Sequence, residues 1–453
     1  MSEESRKYHI VVTGTGYVGL VTGVCLAHMG HQVTCVDINE EKIRLLSQGI
    51  SPIYENNLEP LLKKGIAENK LCFTTDYESA YKSSDVIFIG VGTPEKPDGS
   101  ADLSYIATAA RQIAESIEKD CLVVIKSTVP IGTNDRVEQF INDFLIHDVK
   151  VEVASNPEFL AQGSAVHDTL NAARIIIGTD SPNAQRMLKE IYTPYDQPIV
   201  FMDRTSAEMT KYASNNFLAL KISYINDIAN LCELVGANVE DVARGMAYDE
   251  RIGDRFLNAG VGYGGSCFPK DTKALIYLAR QVGYDLKTVS AAVTVNSEQK
   301  LKLFEKAKDR LISFSGLNVA ILGVTFKPGT DDLRESPALE NIPLLLEAGA
   351  KIRVYDPAGV DNLKRIYPDE IYYADSPEQA LNNANVCFIF AEWAQIKAIE
   401  PSKYTLLMRK ALVYDGRNIH DPRKMALAGV EYYSIGRPDY LLSSSKQQRQ
   451  HLE

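Results

Sequence analysis

One cysteine of this chain sits where a thiol could react. Cys267 lies in GYGGSCFPKD, Gly262 to Asp271, among three glycines and a proline. The following FPKDTKALIYLAR reads as a helix with Pro269 near its first position. A thiol just before a helix N-terminus feels partial positive charge and unpaired N–H groups, and Lys270 adds a cation. Both favour the thiolate, the nucleophilic form. The other six cysteines, Cys25, Cys35, Cys72, Cys121, Cys232 and Cys387, have apolar or β-branched neighbours, where cysteine behaves as a small hydrophobe. Cys267 is therefore expected to be the least sheltered of the seven. A thiolate acting on a carbonyl needs a fixed cation or amide to stabilise an oxyanion. Lys211 and Asn215, four residues apart in a helical stretch, share a face and suit that task. Asp271, four residues after Cys267, adds a carboxylate that could orient Lys211 or water. Each residue alone also fits a plainer role, as a loop cysteine or a solvated helix residue.

A second kind of chemistry is written at the other end of the chain. GTGYVG places Gly14, Gly16 and Gly19 in G-x-G-x-x-G spacing, after a strand-like YHIVV and at the start of a helical LVTGVCLAHMG. Asp37 ends the next strand, within the expected distance. The glycines let backbone approach a pyrophosphate, whose charge meets the helix N-terminus. Asp37 would accept hydrogen bonds from a ribose 2′-OH and repel a 2′-phosphate, which points to NAD. Ligands of open α/β sheets bind beyond the carboxyl ends of strands. Thr93 follows DVIFIGVG, Thr128 follows VVIKS, and Glu158 in NPEFL follows VEVAS. The two threonines precede prolines and so also suit turns; their shared location favours a site.

The elements that must position these residues read as alternating strand and helix, which implies parallel sheets with right-handed crossovers. The plan returns late in the chain. LAHMGHQVTCVD ending at Asp37 matches LLEAGAKIRVYD ending at Asp356, DVIFIGV is echoed by NVCFIFA, and CLVVIKS by ALVYDGR. Two doubly wound units, near 1–200 and 315–440, follow. The late unit has ILGVTFKPGTDDLRES, with Lys327 and Arg334 where the glycines would be, and suits a different anion. Between the units, TSAEMTKYASNNFLALKISYINDIANLCELVG holds no Pro or Gly before Gly236. It reads as one helix of about 30 residues, roughly 45 Å long. Thr205 and Glu208 suggest a capping box at its start. Such a helix could join two domains and still bury a face in another subunit. The expected fold class is α/β, with two Rossmann-like domains joined by the long helix and a helical dimerisation region. The boundaries are 1–203, 204–310 and 311–440, with a polar, frayed tail at 441–453.

Composition excludes several classes. At 453 residues, with 45% hydrophobic and 24% charged residues, the chain is a soluble protein of two or three domains. Lys plus Arg total 48 against 59 Asp plus Glu, a net charge of −11, which argues against a nucleic-acid surface. No apolar stretch is long enough to span a membrane, and MSEESRKYHI carries no signal-peptide run. Seven cysteines without a CxxC pair suggest neither a disulfide framework nor a zinc site, and fit a reducing cytosol.

Taken together, GTGYVGL, VGTP, STVP, SNPEFL, KYASNNFLALKISYIND, RIGDRFLNAGVGYGGSCFPKD, FKPGTDDLRES and DGRN resemble the UDP-glucose/GDP-mannose dehydrogenase family, in family order from residue 10 to about 420. The resemblance implies two successive NAD-dependent oxidations at C6 of UDP-glucose, alcohol to aldehyde to acid, with two NADH per substrate. It implies capture of the aldehyde on Cys267 as a thiohemiacetal and its conversion to a thioester that water hydrolyses. By the same resemblance Lys211 and Asn215 stabilise oxyanions, Asp271 and Thr128 order lysine and water, and Glu158 assists hydrolysis. Contacts to NAD are implied for Gly14, Gly16, Tyr17, Val18, Gly19, Asp37, Lys42, Thr93, Thr128, Glu158, Lys270 and Arg334. Those to the nucleotide sugar are implied for Glu158, Phe159, Leu160, Lys211, Asn215, Cys267, Lys327 and Arg417. The segment Phe256–Gly265, with Leu257, Asn258, Ala259, Gly260 and Gly264, would line the sugar pocket, and Arg251 would reach a neighbouring subunit's substrate, making the active unit at least a homodimer. Relatives usually carry Glu where this chain has Gln162. A sister specificity for UDP-N-acetylhexosamine or GDP-mannose stays open, as does a non-catalytic NAD sensor. A two-electron hydroxyacid dehydrogenase of similar layout would not need Cys267.

Overall fold

The computed structural model describes residues 7–438; the first six residues and the whole tail expected at 441–453 lie outside the described residues. The chain divides into two compact units, Met1–Ser214 with Lys273–Gly283, and Asn215–Thr272 with Tyr284–Glu453. Among the described residues no helix is long and apolar enough to cross a membrane.

The first unit is built on eight strands: β1 (His9–Thr13), β2 (Gln32–Val36), β3 (Leu71–Thr74), β4 (Val86–Ile89), β5 (Cys121–Ile125), β6 (Val151–Ser155), β7 (Ile175–Gly178) and β8 (Ile199–Met202). Their order is β3-β2-β1-β4-β5-β6-β7-β8, so the winding reverses between β1 and β4. Central strands such as VIFI of β4 and CLVVI of β5 are buried at every residue, because helices cover both faces. Ile10 and Val12 pack with Leu20 and Val24 on one side; Val11, Ile87 and Ile89 pack with Ile106 and Ile113 on the other. All pairings are parallel except β6 with β7, which meet antiparallel at Ser155 and Gly178. Alternation of strand and helix gives no hint of that exception. Continued along the chain, its register sets Phe159 opposite Arg174.

The second unit repeats the plan with six parallel strands: β9 (Asn318–Leu322), β10 (Lys351–Tyr355), β11 (Tyr372–Tyr373), β12 (Val386–Ile389), β13 (Leu412–Asp415) and β14 (Glu431–Tyr433), ordered β11-β10-β9-β12-β13-β14. The echoed sequences occupy equivalent places: β2 and β10, β4 and β12, β5 and β13.

The long helix runs Arg204–Val235, 32 residues and about 48 Å, and stops at Gly236, where φ is +77°. Its start differs from the expected capping box. Asp203 is the cap, accepting from the Ser206 N–H at 2.8 Å. Glu208 is buried and instead accepts from the Gly132 N–H at 2.5 Å, the Asn134 N–H at 2.8 Å and the Asn134 amide at 2.6 Å. A carboxylate there answers the unpaired N–H groups that open the helix Thr133–Phe144. Burial pushes the Glu208 carboxyl above its ordinary range, although the Asn134 and Gly132 donors pull it back. Glu208→Ala should strand these donors, at about 1–3 kcal/mol for each one left unsatisfied, and lower the melting temperature by several degrees. A melting curve that does not move would mean that water serves the helix start equally well.

Candidate active site

The first unit carries a dinucleotide cradle. β1 ends at Thr13, and the first helix, Tyr17–His28, opens after the Gly14–Gly16 turn. A Cβ on Gly19 would lie 1.9 Å from the Gly14 carbonyl oxygen, so only glycine lets the helix press against the turn. Gly16 faces open space and caps the helix without a side-chain hydrogen bond. The N–H groups beyond it are thus placed for a pyrophosphate, at the switch point of the sheet. Tyr17 and Val18 form the first turn, and the Tyr17 hydroxyl donates to the Tyr54 carbonyl. Asp37 follows β2 and accepts from the Thr15 N–H at 2.8 Å, the Thr15 hydroxyl at 2.6 Å and the Asn39 N–H at 3.0 Å, with Lys42 Nζ at 3.7 Å. Burial alone would raise its carboxyl, but these donors and Lys42 outweigh it and hold it below the ordinary range. Asp37 is therefore a charged acceptor at the strand end, suited to a ribose diol.

Beyond the neighbouring strands lies a polar cluster. Thr93 follows β4 and donates from its hydroxyl to the Thr128 carbonyl, after β5, at 2.8 Å. Glu158, after β6, is 6% exposed and Lys211 is 3% exposed, with Lys211 Nζ 3.1 Å from the Glu158 carboxylate. Two buried charges persist because each answers the other. The Glu158 carboxylate also accepts from the Leu160 N–H at 3.1 Å. Beside it, the Phe159 ring has the Arg174 guanidinium 3.7 Å from its centroid and Lys211 Nζ 5.3 Å away. The loop continues through buried Gln162 and is held by Glu55, which accepts from the Gly163 N–H at 2.6 Å and the Ala165 N–H at 2.9 Å. The sequence reading missed Glu55 and Arg174. No spacing rule marks a loop glutamate, and Arg174 enters only through the antiparallel register.

The second unit carries the cysteine loop. Cys267 precedes the helix Phe268–Gln281, and its carbonyl accepts from the Asp271 N–H at 2.8 Å, so it occupies the cap position. The Ser266 hydroxyl lies 3.7 Å from its Sγ. Cys267 is half-buried, and the least sheltered cysteine is instead Cys72, which is exposed. Cys72 lies on the edge strand β3, where alternate side chains point outward even between apolar neighbours. None of the seven cysteines, all of them described, forms a disulfide. Asp271, 1% exposed, accepts from the Asn215 amide at 2.6 Å and from Lys270 Nζ at 2.7 Å. The Lys270 cation, expected to act on the thiol, is thus tied to Asp271.

The lining segment is fixed by neutral amides. The Gly260 N–H donates to Asn226 at 2.8 Å, and Gln299 donates to the Gly260 carbonyl at 2.7 Å. Asn296 exchanges two hydrogen bonds with the Tyr263 backbone, at 2.8 and 3.1 Å. A Cβ on Gly264 would lie 2.3 Å from the Glu335 carbonyl oxygen. Arg417 donates to the carbonyls of Phe390 at 2.8 Å, Phe326 at 3.1 Å and Gly262 at 3.3 Å, so it holds the loop against two strand ends. Leu257 and Ala259 are buried, whereas Asn258 and Phe256 are exposed, Phe256 with φ +66°. Lys327 Nζ lies 5.7 Å from the Phe326 ring centroid. Arg334 and Arg251 are exposed, each forked onto an aspartate two residues earlier, Asp332 and Asp249. Isolated amides such as Asn226, Asn296 and Gln299 look like solvated helix positions in sequence, and nothing in their spacing marked them.

Asp356, the counterpart of Asp37, shows why the late unit lacks a dinucleotide site. Its carboxylate accepts from the N–H groups of Val324, Thr325, Ala358 and Gly359, the Thr325 hydroxyl and the Trp393 indole, all between 2.7 and 3.2 Å. Little acceptor capacity remains for a ribose. For the open carboxylate, Asp37→Ala should weaken NAD binding about tenfold and narrow the preference over NADP. Titration of both cofactors by fluorescence checks this; equal affinity of the wild type for both would contradict the assigned role.

Comparison with known proteins finds three family domains in chain order. The model of the UDP-glucose/GDP-mannose dehydrogenase family NAD binding domain matches residues 8–196, that of the central domain 205–298, and that of the UDP binding domain 320–422. NAD is accordingly the cofactor of the first unit. The chain is 48% identical to the UDP-glucose 6-dehydrogenase YwqF of Bacillus subtilis (strain 168), covering 95% of this chain and 98% of the relative. It is 44% identical to the UDP-glucose 6-dehydrogenase of Rhizobium meliloti (strain 1021), over 95% of this chain and all of the relative (100%). Among solved structures, a UDP-glucose dehydrogenase from Pyrobaculum islandicum superposes with a TM-score of 0.89 at 37% identity, covering 94% of this chain and 97% of that one. A UDP-D-ManNAc dehydrogenase from Pyrococcus horikoshii superposes at 0.84 with 29% identity, covering 95% and 100%. By matched domains, by identity and by fold, the chain belongs to the UDP-glucose/GDP-mannose dehydrogenase family.

Proposed function

We propose that this protein is a cytoplasmic, NAD-dependent UDP-glucose 6-dehydrogenase that makes UDP-glucuronate. The observation that carries the reading is Cys267 capping a helix on a loop held rigid from several sides. The UDP-glucose 6-dehydrogenases at 40–48% identity support UDP-glucose as the sugar nucleotide.

NAD, when bound, accepts the hydride in each of two oxidations. Between them Cys267 holds the substrate. Its thiolate adds to the C6 aldehyde to give a thiohemiacetal, and the second oxidation leaves a thioester. Water attacks the thioester carbonyl, the carbon–sulfur bond breaks, and the carboxylate leaves with the thiol restored. Covalent capture keeps the aldehyde from escaping. Lys211 and Asn215 answer the oxyanions, and Asp271 fixes the Asn215 amide. Thr128 orders water, and Glu158 takes a proton from it. The segment Phe256–Gly265 with Lys327 holds the sugar nucleotide, and Arg334 reaches NAD.

The active unit is at least a homodimer. Phe217, Tyr224 and Leu231 are 61%, 51% and 53% exposed and recur every seventh residue along the long helix, the spacing of a seam that packs on a second helix. Arg251, 88% exposed, is the arm that reaches the partner's substrate. The functional division is 1–203 for NAD, 204–310 for the helical centre and 311–440 for the UDP sugar.

Each UDP-glucose should yield two NADH and one UDP-glucuronate with no free aldehyde. Glu158→Gln should slow hydrolysis, so an adduct on Cys267 accumulates and is read by intact-protein mass. Cys267→Ala should form neither adduct nor acid; appreciable UDP-glucuronate from that variant would exclude the covalent route. Arg251→Ala and Cys267→Ala subunits, each poorly active alone, should regain about a quarter of wild-type turnover when exchanged into hybrids. Hybrids formed without recovered activity would place Arg251 in its own subunit's site.

A further inference from the structure

We propose that Lys126 is a positioning residue for the reaction above, a second ammonium that balances the Glu158 carboxylate when Lys211 turns to a substrate oxygen. The proposal rests on the functional reading just given.

Lys126 immediately follows β5, two residues before Thr128, and so stands at the carboxyl ends of the strands with Glu158. Its Nζ donates to the Asn156 side-chain oxygen at 3.1 Å. The Tyr192 hydroxyl donates to the same oxygen at 2.5 Å, and the Asn156 amide donates to the Ile176 carbonyl at 2.8 Å. Asn156 is therefore a fixed acceptor, two residues before Glu158. Lys126 Nζ also lies 5.9 Å from the Tyr192 ring centroid. None of these partners carries a charge. The charges that Lys126 does feel are Glu158, which attracts it, and Lys211, which repels it, with the Cys25 thiol also nearby. Glu158 and Lys211 are already paired at 3.1 Å. The Glu158 carboxylate thus has one ammonium in contact, Lys211, and a second, Lys126, held on Asn156 two residues before it.

That arrangement has a mechanical consequence. In a closed pair, moving Lys211 toward an oxyanion would leave Glu158 buried and uncompensated, a costly state. A second cation answers Glu158 during the movement, and its repulsion of Lys211 favours the departure. Lys126 is half-buried, and its ammonium meets an amide oxygen and an aromatic ring but, among the described residues, no carboxylate, so no ion pair accounts for its place.

The same placement makes the device titratable. Burial pushes the Lys126 ammonium down to about 8, with Glu158 drawing it up and Lys211 pressing it further down. The facing Cys25 thiol is itself pushed up to about 12 by burial, and the Tyr192 phenol is pushed above its ordinary value, so both stay neutral there. As pH rises through about 8, Lys126 loses its charge and the support for Glu158 goes with it. An arginine at this place would stay charged throughout.

The test is the pH dependence of turnover with UDP-glucose and NAD for the wild type, Lys126→Arg and Lys126→Met. The wild-type kcat should fall above about pH 8, the range set by Lys126. Lys126→Arg should keep kcat within about threefold of wild type at neutral pH and lose that alkaline limb. Lys126→Met should lower kcat by about 10²-fold, the scale of one lost electrostatic contact, while KM for NAD moves little. An unchanged alkaline limb in Lys126→Arg, or near-normal turnover in Lys126→Met, would overturn the proposal. If Lys126→Met does not fold, the Lys126→Arg profile decides. Running a panel of nucleotide sugars separates the two readings: the same profile with another sugar and no turnover of UDP-glucose would overturn the substrate assignment and support the role of Lys126.

Discussion

The period of a single uninterrupted helix constrains both halves of the chemistry. At about 100° per residue, Glu208, Lys211, Asn215 and Asn226 of the helix Arg204–Val235 fall within about 60° of one another. Each is buried and bonded: Glu208 to the start of the helix Thr133–Phe144, Lys211 to Glu158, Asn215 to Asp271, and Asn226 to Gly260. Phe217, Tyr224 and Leu231 fall on the opposite side and are exposed. One proline inside this stretch would kink the helix, and one glycine would weaken it by about 1 kcal/mol. Residues 205–235 contain neither, which suits one uninterrupted helix.

The two Rossmann-like units show how one plan can be tuned to different ligands by where donors are spent. Asp37 and Asp356 occupy the same strand end, and each closes the turn that follows the first strand of its unit. At Asp37 the chain supplies Thr15, Asn39 and a distant Lys42, and the carboxylate stays charged and receptive. At Asp356 the turn, the Thr325 hydroxyl and the Trp393 indole supply six donors, and the carboxylate becomes a structural knot. The difference lies in saturation, because the residue and its position are shared.

Much of this was legible in sequence because it is periodic or local. The longer central strands, the repeated plan, the long helix and the glycine turn all follow from patterns of two, of 3.6, or from a motif. Strands β3, β8, β11 and β14 were missed; they lie at sheet edges and are only partly buried, and the buried β7 was missed with them. Pairings between distant residues were not legible. Glu208 looked like the end of a capping box because Glu stands three residues after Thr205, yet the N–H groups it serves are more than seventy residues away. Cys72 looked sheltered because its neighbours are apolar, yet edge position decides exposure. The Lys211–Glu158 and Asn215–Asp271 partners lie 53 and 56 residues apart, and spacing rules do not reach that far.

A division of labour between charged and neutral groups follows from these partners. The loop that carries Cys267 is held by Asn226, Asn296 and Gln299, whose amides donate and accept without titrating, and by Arg417, whose guanidinium donates to three carbonyls. The buried and half-buried charges are, in the first unit, Lys211 with Glu158 beyond the strand ends, with Lys126 beside Asn156, and, in the second, Lys270 with Asp271 at the start of the cysteine helix. Each buried carboxylate there has an ammonium, so neither stands as an isolated buried charge. Rigidity from amides and reactivity from ion pairs are compatible because they use different side chains. The covalent route proposed for Cys267 would need both, since its carbon must stay in place while charge on the surrounding oxygens appears and disappears.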